Sequence, residues 1–160
     1  MIPEVHLPKR HSAQARIMSE AKRRNVICAG RRLGKNILLQ DIVTEAVLDG
    51  QYWGWGAPVF KQTHDDFRAL ENILAPVIKR KSISEMRLEA ITGGTVEFWS
   101  MDKPDTIRGK KYHGFIVNEA GFVPNLLDIR NYIIVPTLID YQGAEWYAGT
   151  PKGMNGFYSL

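Results

Sequence analysis

Apolar positions recur with a helical period in several stretches of the chain. The most regular stretch has two adjacent rows in which apolar residues are four positions apart, and this pattern predicts a helix packed against a sheet. Asp49 and Gly50 follow it and predict its end. A weaker helical pattern covers residues 126–132. The two rows of the regular helix are Leu38, Ile42 and Ala46, and Leu39, Val43 and Val47.

Two further segments predict helices with identifiable beginnings. Ser12 is a candidate N-cap for a helix whose apolar stripe reaches Ala21. Thr63 and Asp66 have the spacing of a capping box, and Pro76 should kink or end the helix that they begin. The apolar positions of this second helix are Phe67, Leu70, Leu74 and Val77.

Strands are predicted by short apolar runs and by alternation with a period of two. Residues 86–90 and 96–98 alternate on either side of Gly93 and Gly94, which predicts a β-hairpin. Strands alternating with helices favour an α/β sandwich with a mostly parallel central sheet and this added hairpin. The other predicted strands lie at residues 26–29, 51–59, 115–117 and 145–148.

A glycine-containing loop joins the first predicted strand to the regular helix. The segment NVICAGRRLGKN contains Gly30 and Gly34 before Lys35. Glycine permits backbone conformations in which successive N–H groups point inward, and a helix N-terminus favours anions, so the junction suits phosphate binding. The P-loop pattern GxxxxGK[ST] would need other residues than Ala29 and Asn36. An ordinary helix start with a lysine at the surface is the alternative interpretation.

Polar residues follow three of the apolar strands. Lys35, the pair Asn118 and Glu119, and the pair Gly149 and Thr150 each come soon after such a run. The carboxyl ends of parallel strands form the ligand-binding edge of α/β sheets, so these residues should converge there. Glu119 is a candidate general base, and a solvated carboxylate is the alternative interpretation.

Composition narrows the function only a little. The 160 residues suit one domain with a sizeable core, and the net charge of +4 permits a polyanionic partner without requiring one. The single cysteine, Cys28, excludes an intramolecular disulfide and favours a reducing compartment, and we expect it to be a small buried residue. No run of 18 apolar residues occurs, which favours a soluble intracellular protein.

Five blocks together resemble one family, the large terminase subunit of tailed bacteriophages, which is the motor that packages DNA. GRRLGKN looks like its arginine-rich P-loop, the HSAQ segment looks like its glutamine motif, and the order and spacing of the others match its ATPase. The resemblance runs from about residue 7 to the end and implies a P-loop NTPase fold of the ASCE type, a three-layer sandwich. The remaining blocks are MDKPDTIRG at 101–109, HGFIVNEAGFV at 113–123 and GTPKGMNGFY at 149–158.

The resemblance implies a role for each matching residue. Gln14 would contact adenine, Arg31 would sense the γ-phosphate, and Glu119 would be the catalytic carboxylate. Arg108 would be an arginine finger in a neighbouring subunit's site. Other residues that the resemblance assigns to the nucleotide are Gly30, Arg32, Gly34, Lys35 and Asn36, and those that it assigns to coupling with DNA movement are Gly149 and Thr150.

Two departures from the family pattern affect the metal. Asn36 stands where the family has Ser or Thr, and Asn118 stands where it has the Walker B Asp. An amide offers a carbonyl oxygen to Mg²⁺ but no negative charge, so Mg²⁺ affinity should fall. We therefore expect slow or absent ATP hydrolysis unless both positions are restored.

The resemblance also implies cofactors and partners. ATP and Mg²⁺ would be the cofactors, and double-stranded DNA, a portal protein, a small terminase subunit and further copies in a ring would be the partners, with no membrane. The protein would act in the host cell cytoplasm and transiently at the portal vertex of a procapsid. Residues 1–160 would form one incomplete ATPase domain, with no nuclease activity.

Two other functions remain open. A degenerate P-loop fold could serve as a non-catalytic module that binds nucleic acid or a protein partner, which the two asparagines and the basic clusters at 22–24, 79–81 and 110–111 favour. A helicase-like ATPase fits the P-loop but explains the GTPKGMNGFY block less well. Nucleotide binding would separate the first alternative from an ATPase.

Overall fold

The computed structural model describes residues 2–30, 33–150 and 156–160. Its helices are α1 (Ser12–Ser19), α2 (Lys35–Leu48), α3 (Phe60–Leu74), α4 (Leu126–Ile129) and α5 (Val135–Leu138). Its strands are β1 (Arg24–Cys28), β2 (Tyr52–Ala57), β3 (Ile78–Ser82), β4 (Arg87–Ala90), β5 (Thr95–Ser100), β6 (Gly114–Asn118) and β7 (Ala144–Gly149). No helix in these ranges is long and apolar enough to cross a membrane.

The strands of the described chain form one mixed sheet in the order β1-β7-β6-β2-β5-β4-β3. The first five strands in this order are parallel, and β4 and β3 continue the sheet in antiparallel pairs. Asn118 at the end of β6 is level with Ala148 near the end of β7, so the polar residues that follow these strands come together at one edge. This arrangement confirms the mostly parallel sheet with an added hairpin.

Helices cover both faces of the sheet. Because successive residues of a strand point to opposite faces, Ile116 packs with α2 and α3, while Phe115 and Val117 pack under the helices beyond residue 126. The result is the three-layer α/β sandwich. Buried residues of the core on the α2 and α3 side include Leu39, Val43, Trp55, Phe67 and Leu70, and those of the core on the opposite side include Leu126, Ile134, Leu138 and Tyr147.

Two predicted helix starts are wrong in their capping residue. His11, and not Ser12, is the N-cap of α1: the His11 ring accepts from the Gln14 N–H, and the Gln14 side chain accepts from the His11 N–H. The helix ends at Ser19, so Ala21 lies outside it and is exposed. The sequence pattern did not predict this cap because the usual N-cap residues are Ser, Thr, Asp and Asn, and here the N-cap is a histidine.

The predicted capping box of α3 is also wrong. The helix begins at Phe60, and Thr63 donates its hydroxyl to the Val59 carbonyl at 3.0 Å inside the first turn. Asp66 is buried within the helix. Residues three apart also share a face inside a helix, so the spacing alone cannot locate the start. Pro76 behaves as predicted, because α3 ends at Leu74 and a 3₁₀ turn follows.

Three further differences concern the strands and the last helical region. Strand β3 was not predicted, since its middle is basic and exposed. Cys28 is exposed and not buried, because it lies on β1 at the edge of the described sheet. The weak helical pattern continues past residue 132: a π-helical turn at Arg130–Ile134 joins α4 to α5.

Candidate functional site

Lys35 connects two of the strand ends. It is the first residue of α2 and only 6% exposed. Its Nζ donates to the Ala29 carbonyl after β1 at 2.6 Å and to the Thr150 hydroxyl after β7 at 3.0 Å. The predicted convergence of Lys35 with the end of β7 is therefore confirmed, and a buried ammonium lies at this edge of the sheet.

The residue that precedes α2 provides no side-chain cap for the start of that helix. Gly34 is its N-cap with φ of 74°, a left-handed conformation that favours glycine, and it has no side chain to cap the first N–H groups. The first turn of α2 contains no acidic residue. The positive end of the helix dipole is thus not neutralised locally, which suits a phosphate group.

The N-terminal end of α1 holds this loop in place. Gln14 is 5% exposed and donates its Nε2 to the Gly34 carbonyl at 3.1 Å. The His11 Nε2 lies 2.8 Å from the Leu33 carbonyl oxygen. The resemblance implies that Gln14 contacts adenine, and the described contacts place Gln14 directly against the glycine loop.

The end of β6 carries a fixed amide. Asn118 is 1% exposed, its Oδ1 accepts from the Glu119 N–H at 3.0 Å, and its Nδ2 donates to Asp66 Oδ2 at 3.2 Å. Glu119 itself has φ of 52°, an uncommon conformation for a residue with a side chain. The Asn118 amide therefore stabilises the backbone of the candidate general base.

Asp66 is a site residue that the sequence analysis missed. Its Oδ2 accepts from the Trp55 Nε1–H at 2.8 Å as well as from Asn118. Burial raises the pKa of Asp66, the two hydrogen bonds lower it, and the nearby Asp65 and Glu119 charges raise it further. An acidic residue on the apolar face of a helix was the available signal, but it was attributed to capping.

The described segments around Lys35 contain three other predicted site residues. Gly149 ends β7, and its carbonyl accepts from the Ala29 N–H at 3.2 Å. Asn36 is exposed in the first turn of α2, and Gly30 is exposed before it. The predictions for Arg31 and Arg32 lie outside the described residues.

Arg108 is not brought to Lys35 in the described contacts. Its guanidinium is exposed, with Nε 2.8 Å from Asp105 Oδ1 and Nη1 3.2 Å from the Tyr132 carbonyl oxygen. It lies after the 3₁₀ turn Pro104–Ile107 and before β6. In the described contacts, Arg108 is therefore a surface residue away from Lys35.

The described donors form no protein cage for a metal. No group of three or more His, Cys, Asp or Glu side chains in the described ranges could hold an ion. Asn118 Oδ1 and Nδ2 each make one described hydrogen bond. Because an amide oxygen has two lone pairs, Oδ1 has a second one that could bind a metal ion. These residues fit a Mg²⁺ that arrives with a nucleotide, because such ions use few protein ligands beside the phosphates.

Comparison with known proteins identifies the family, although no family model matches. The chain is 30% identical to the large terminase subunit of Thermus virus P23-45 over 95% of its own length, and it spans about a third of that relative, 36%. The large terminase ATPase domain of Thermus phage P74-26 is 25% identical, with a TM-score of 0.78, over 94% of this chain and 68% of that one.

A third similar structure was solved with a bound nucleotide. The large terminase of a thermophilic bacteriophage, solved in complex with ADP, has a TM-score of 0.61 at 17% identity, over 86% of this chain and 38% of that one. This likeness concerns the fold alone. By sequence and by fold, the chain belongs to the large terminase subunits of phages, in the part that forms their ATPase domain.

Proposed function

We propose that the chain binds ATP at the carboxyl ends of β1, β6 and β7 and hydrolyses it. The observation that carries this proposal is the position of Lys35, a buried ammonium at the start of α2. Its described hydrogen bonds go to the Ala29 carbonyl and the Thr150 hydroxyl. Because an ammonium has three N–H donors, a third remains for a phosphate oxygen.

The phosphates would lie against the backbone of the loop before α2. Gly34 in its left-handed conformation and the uncapped first turn of α2 support this placement. Gly30, Arg31, Arg32 and Asn36 complete the proposed phosphate site. The adenine would lie near Gln14, which already contacts the loop through Gly34.

Glu119 would orient and deprotonate the attacking water. Its backbone is stabilised at the end of β6 by the Asn118 side chain, and a carboxylate at this position suits general-base work. Arg31 would stabilise the γ-phosphate charge. Arg108 would do so in a neighbouring copy, since its guanidinium is exposed and contacts only its own surface in the described structure.

Mg²⁺ would be held mainly by the nucleotide, with Asn36 and Asn118 as its protein ligands. The ion would neutralise charge on the transferred phosphoryl group. Both ligands are uncharged, and the protein contribution to Mg²⁺ affinity would therefore be small.

ATP hydrolysis would drive movement of double-stranded DNA. The names of the relatives support this role, and the contact between Lys35 and Thr150 would link the nucleotide to the segment after β7, where Gly149 and Thr150 form the coupling motif. The proposed partners are DNA, a portal protein, a small terminase subunit and further copies of the chain in a ring. The setting would be the host cell cytoplasm, at the portal of a procapsid.

Phosphate release from ATP in the presence of Mg²⁺ tests the proposal. We expect slow release by the wild type, because both proposed Mg²⁺ ligands are uncharged, and its loss in Glu119→Gln. Glu89→Gln, a charge change on β4 away from the site, should leave the slow release unchanged. Equal release by the wild type and Glu119→Gln would contradict the assignment of Glu119.

A binding module without ATPase activity is the second candidate. The uncharged Asn36 and Asn118 are the observation in its favour. Thermal unfolding with and without ATP separates the two: a wild type that ATP does not stabilise, and that releases no phosphate, would support the binding module over the ATPase.

A further inference from the structure

The contact between Asp66 and Asn118 has a defined polarity. Asn118 accepts the Glu119 N–H, so the atom that accepts must be its oxygen and the atom that faces Asp66 must be its NH₂ group. Asp66 Oδ2 in turn accepts from both Asn118 and Trp55. An aspartate at position 118 would satisfy the Glu119 N–H equally well but would place its second oxygen against Asp66.

We propose that Asp66 and Asn118 are a matched carboxylate–amide pair, in which α3 supplies the carboxylate that the strand-end site would otherwise carry on β6. Asp66 is then a positioning residue: it orients Asn118, which holds the backbone of Glu119. This inference deepens the proposed function. Its consequence for the Mg²⁺–nucleotide complex rests on that function, whereas the pairing itself does not.

The pairing changes the expectation for position 118. Restoring the family's aspartate alone would put two carboxyl groups at the 3.2 Å separation now spanned by a hydrogen bond. Both groups are buried, so the site would have to hold two like charges or take up a proton, and either costs stability at neutral pH. Asn118→Asp should therefore harm the protein, although the resemblance by itself predicts an improvement.

A double-mutant cycle tests the pairing without any ligand. The variants are Asp66→Asn, Asn118→Asp and their combination, with Asp65→Asn as the matched control because Asp65 is exposed on the same helix. We expect Asn118→Asp to lower the thermal midpoint by about 5 °C or more. Adding Asp66→Asn to it should raise the midpoint, because one of the two carboxyl groups is removed.

The sign of that second effect decides the outcome. Asp66→Asn should raise the thermal midpoint only in the Asn118→Asp background, and in the wild type it should leave the midpoint unchanged or lower it. Asp65→Asn should change the midpoint by the same amount in both backgrounds. Additive effects of Asp66→Asn and Asn118→Asp would overturn the pairing.

Nucleotide binding with and without Mn²⁺ tests the positioning role. We expect Asp66→Asn to reduce the gain in ADP affinity that Mn²⁺ gives by roughly tenfold, while Asp65→Asn keeps it. The same gain in wild type and Asp66→Asn would overturn the positioning role. A wild type that binds no nucleotide would overturn the proposed function and the metal part of this inference together, and the thermal cycle would still decide the pairing.

Discussion

The carboxyl ends of the parallel strands and the antiparallel extension differ in the residues that lie buried beside them. At the carboxyl ends of the parallel strands, the buried groups include Lys35, Asp66 and Asn118, and each has hydrogen-bond partners. In the antiparallel extension, β4 buries Leu88 and Ala90. Burying a polar group costs free energy unless it is hydrogen-bonded, whereas burying an apolar one stabilises directly. The candidate site therefore lies at the carboxyl ends of the parallel strands, whereas the extension contributes buried apolar side chains.

The largest expected effect is a loss of ATP hydrolysis when a lysine is replaced at the candidate site and not in the antiparallel extension. Lys35→Met should reduce ATP hydrolysis roughly 1000-fold, because a donor aimed at the transferred phosphate is lost. Lys79→Met, on exposed β3, is the control and should change hydrolysis little. Phosphate release at saturating ATP measures both. Comparable losses in the two variants would contradict the comparison.

The next effect should appear in stability and not in binding. Leu88 on β4 is 1% exposed, and Leu88→Ala should lower the free energy of unfolding by about 3 kcal/mol through lost burial and a cavity. Urea unfolding measures it, with Ile83→Ala as the control because Ile83 is 61% exposed. At temperatures where the variant is folded, its ATP affinity should equal that of the wild type. A changed affinity would mean that the extension contributes to the site.

Two glycines with the same kind of backbone conformation allow the site and the extension to be compared directly. Gly34 and Gly93 both have positive φ, at 74° and 86°. Alanine at either should cost roughly 1 kcal/mol of stability from backbone strain. A Cβ on Gly34 would also lie 2.8 Å from Gln14 Nε2, whereas one on Gly93 would meet nothing within 4 Å.

Gly34→Ala should therefore weaken ATP binding, while Gly93→Ala should not. Fluorescence titration with a labelled nucleotide and urea unfolding would be measured on both variants. Equal nucleotide affinity in the two would show that contact between Gln14 and the loop has no part in the site.

The smallest effect is expected on the surface of the extension. Lys81 Nζ on β3 lies 2.7 Å from Glu71 Oε1 on α3, and both side chains are partly exposed. Glu71→Gln should cost less than about 1 kcal/mol in urea unfolding, and less still at high salt, because water and ions screen the pair. A larger cost would mean that this ion pair fixes β3 to α3.

The sequence predicts the parallel part better than the extension. Apolar runs locate β6 and β7, and the double apolar row locates α2, because burial imposes those patterns on both the strands and the helix. Strand β3 has exposed lysines and an arginine at its centre. Its pairing with β4 provides the stabilisation, and a sequence pattern does not contain that neighbour.

The site residues that follow strands could be predicted from the sequence, whereas the one contributed by α3 could not. Lys35 and Asn118 follow apolar strands, so topology alone brings them to one edge. Asp66 reaches the same edge from a helix, 52 positions before Asn118 in the chain. Its spacing from Thr63 fits a capping box as well as a buried face, and only the observed start of α3 distinguishes them.

A crystal structure of the chain with ADP would test the proposed nucleotide site most directly. We expect the β-phosphate at the start of α2, within hydrogen-bond distance of Lys35 Nζ and of the loop N–H groups that follow Gly30, with the base near Gln14. ADP bound elsewhere, with Lys35 still directed only to Ala29 and Thr150, would contradict the proposed site.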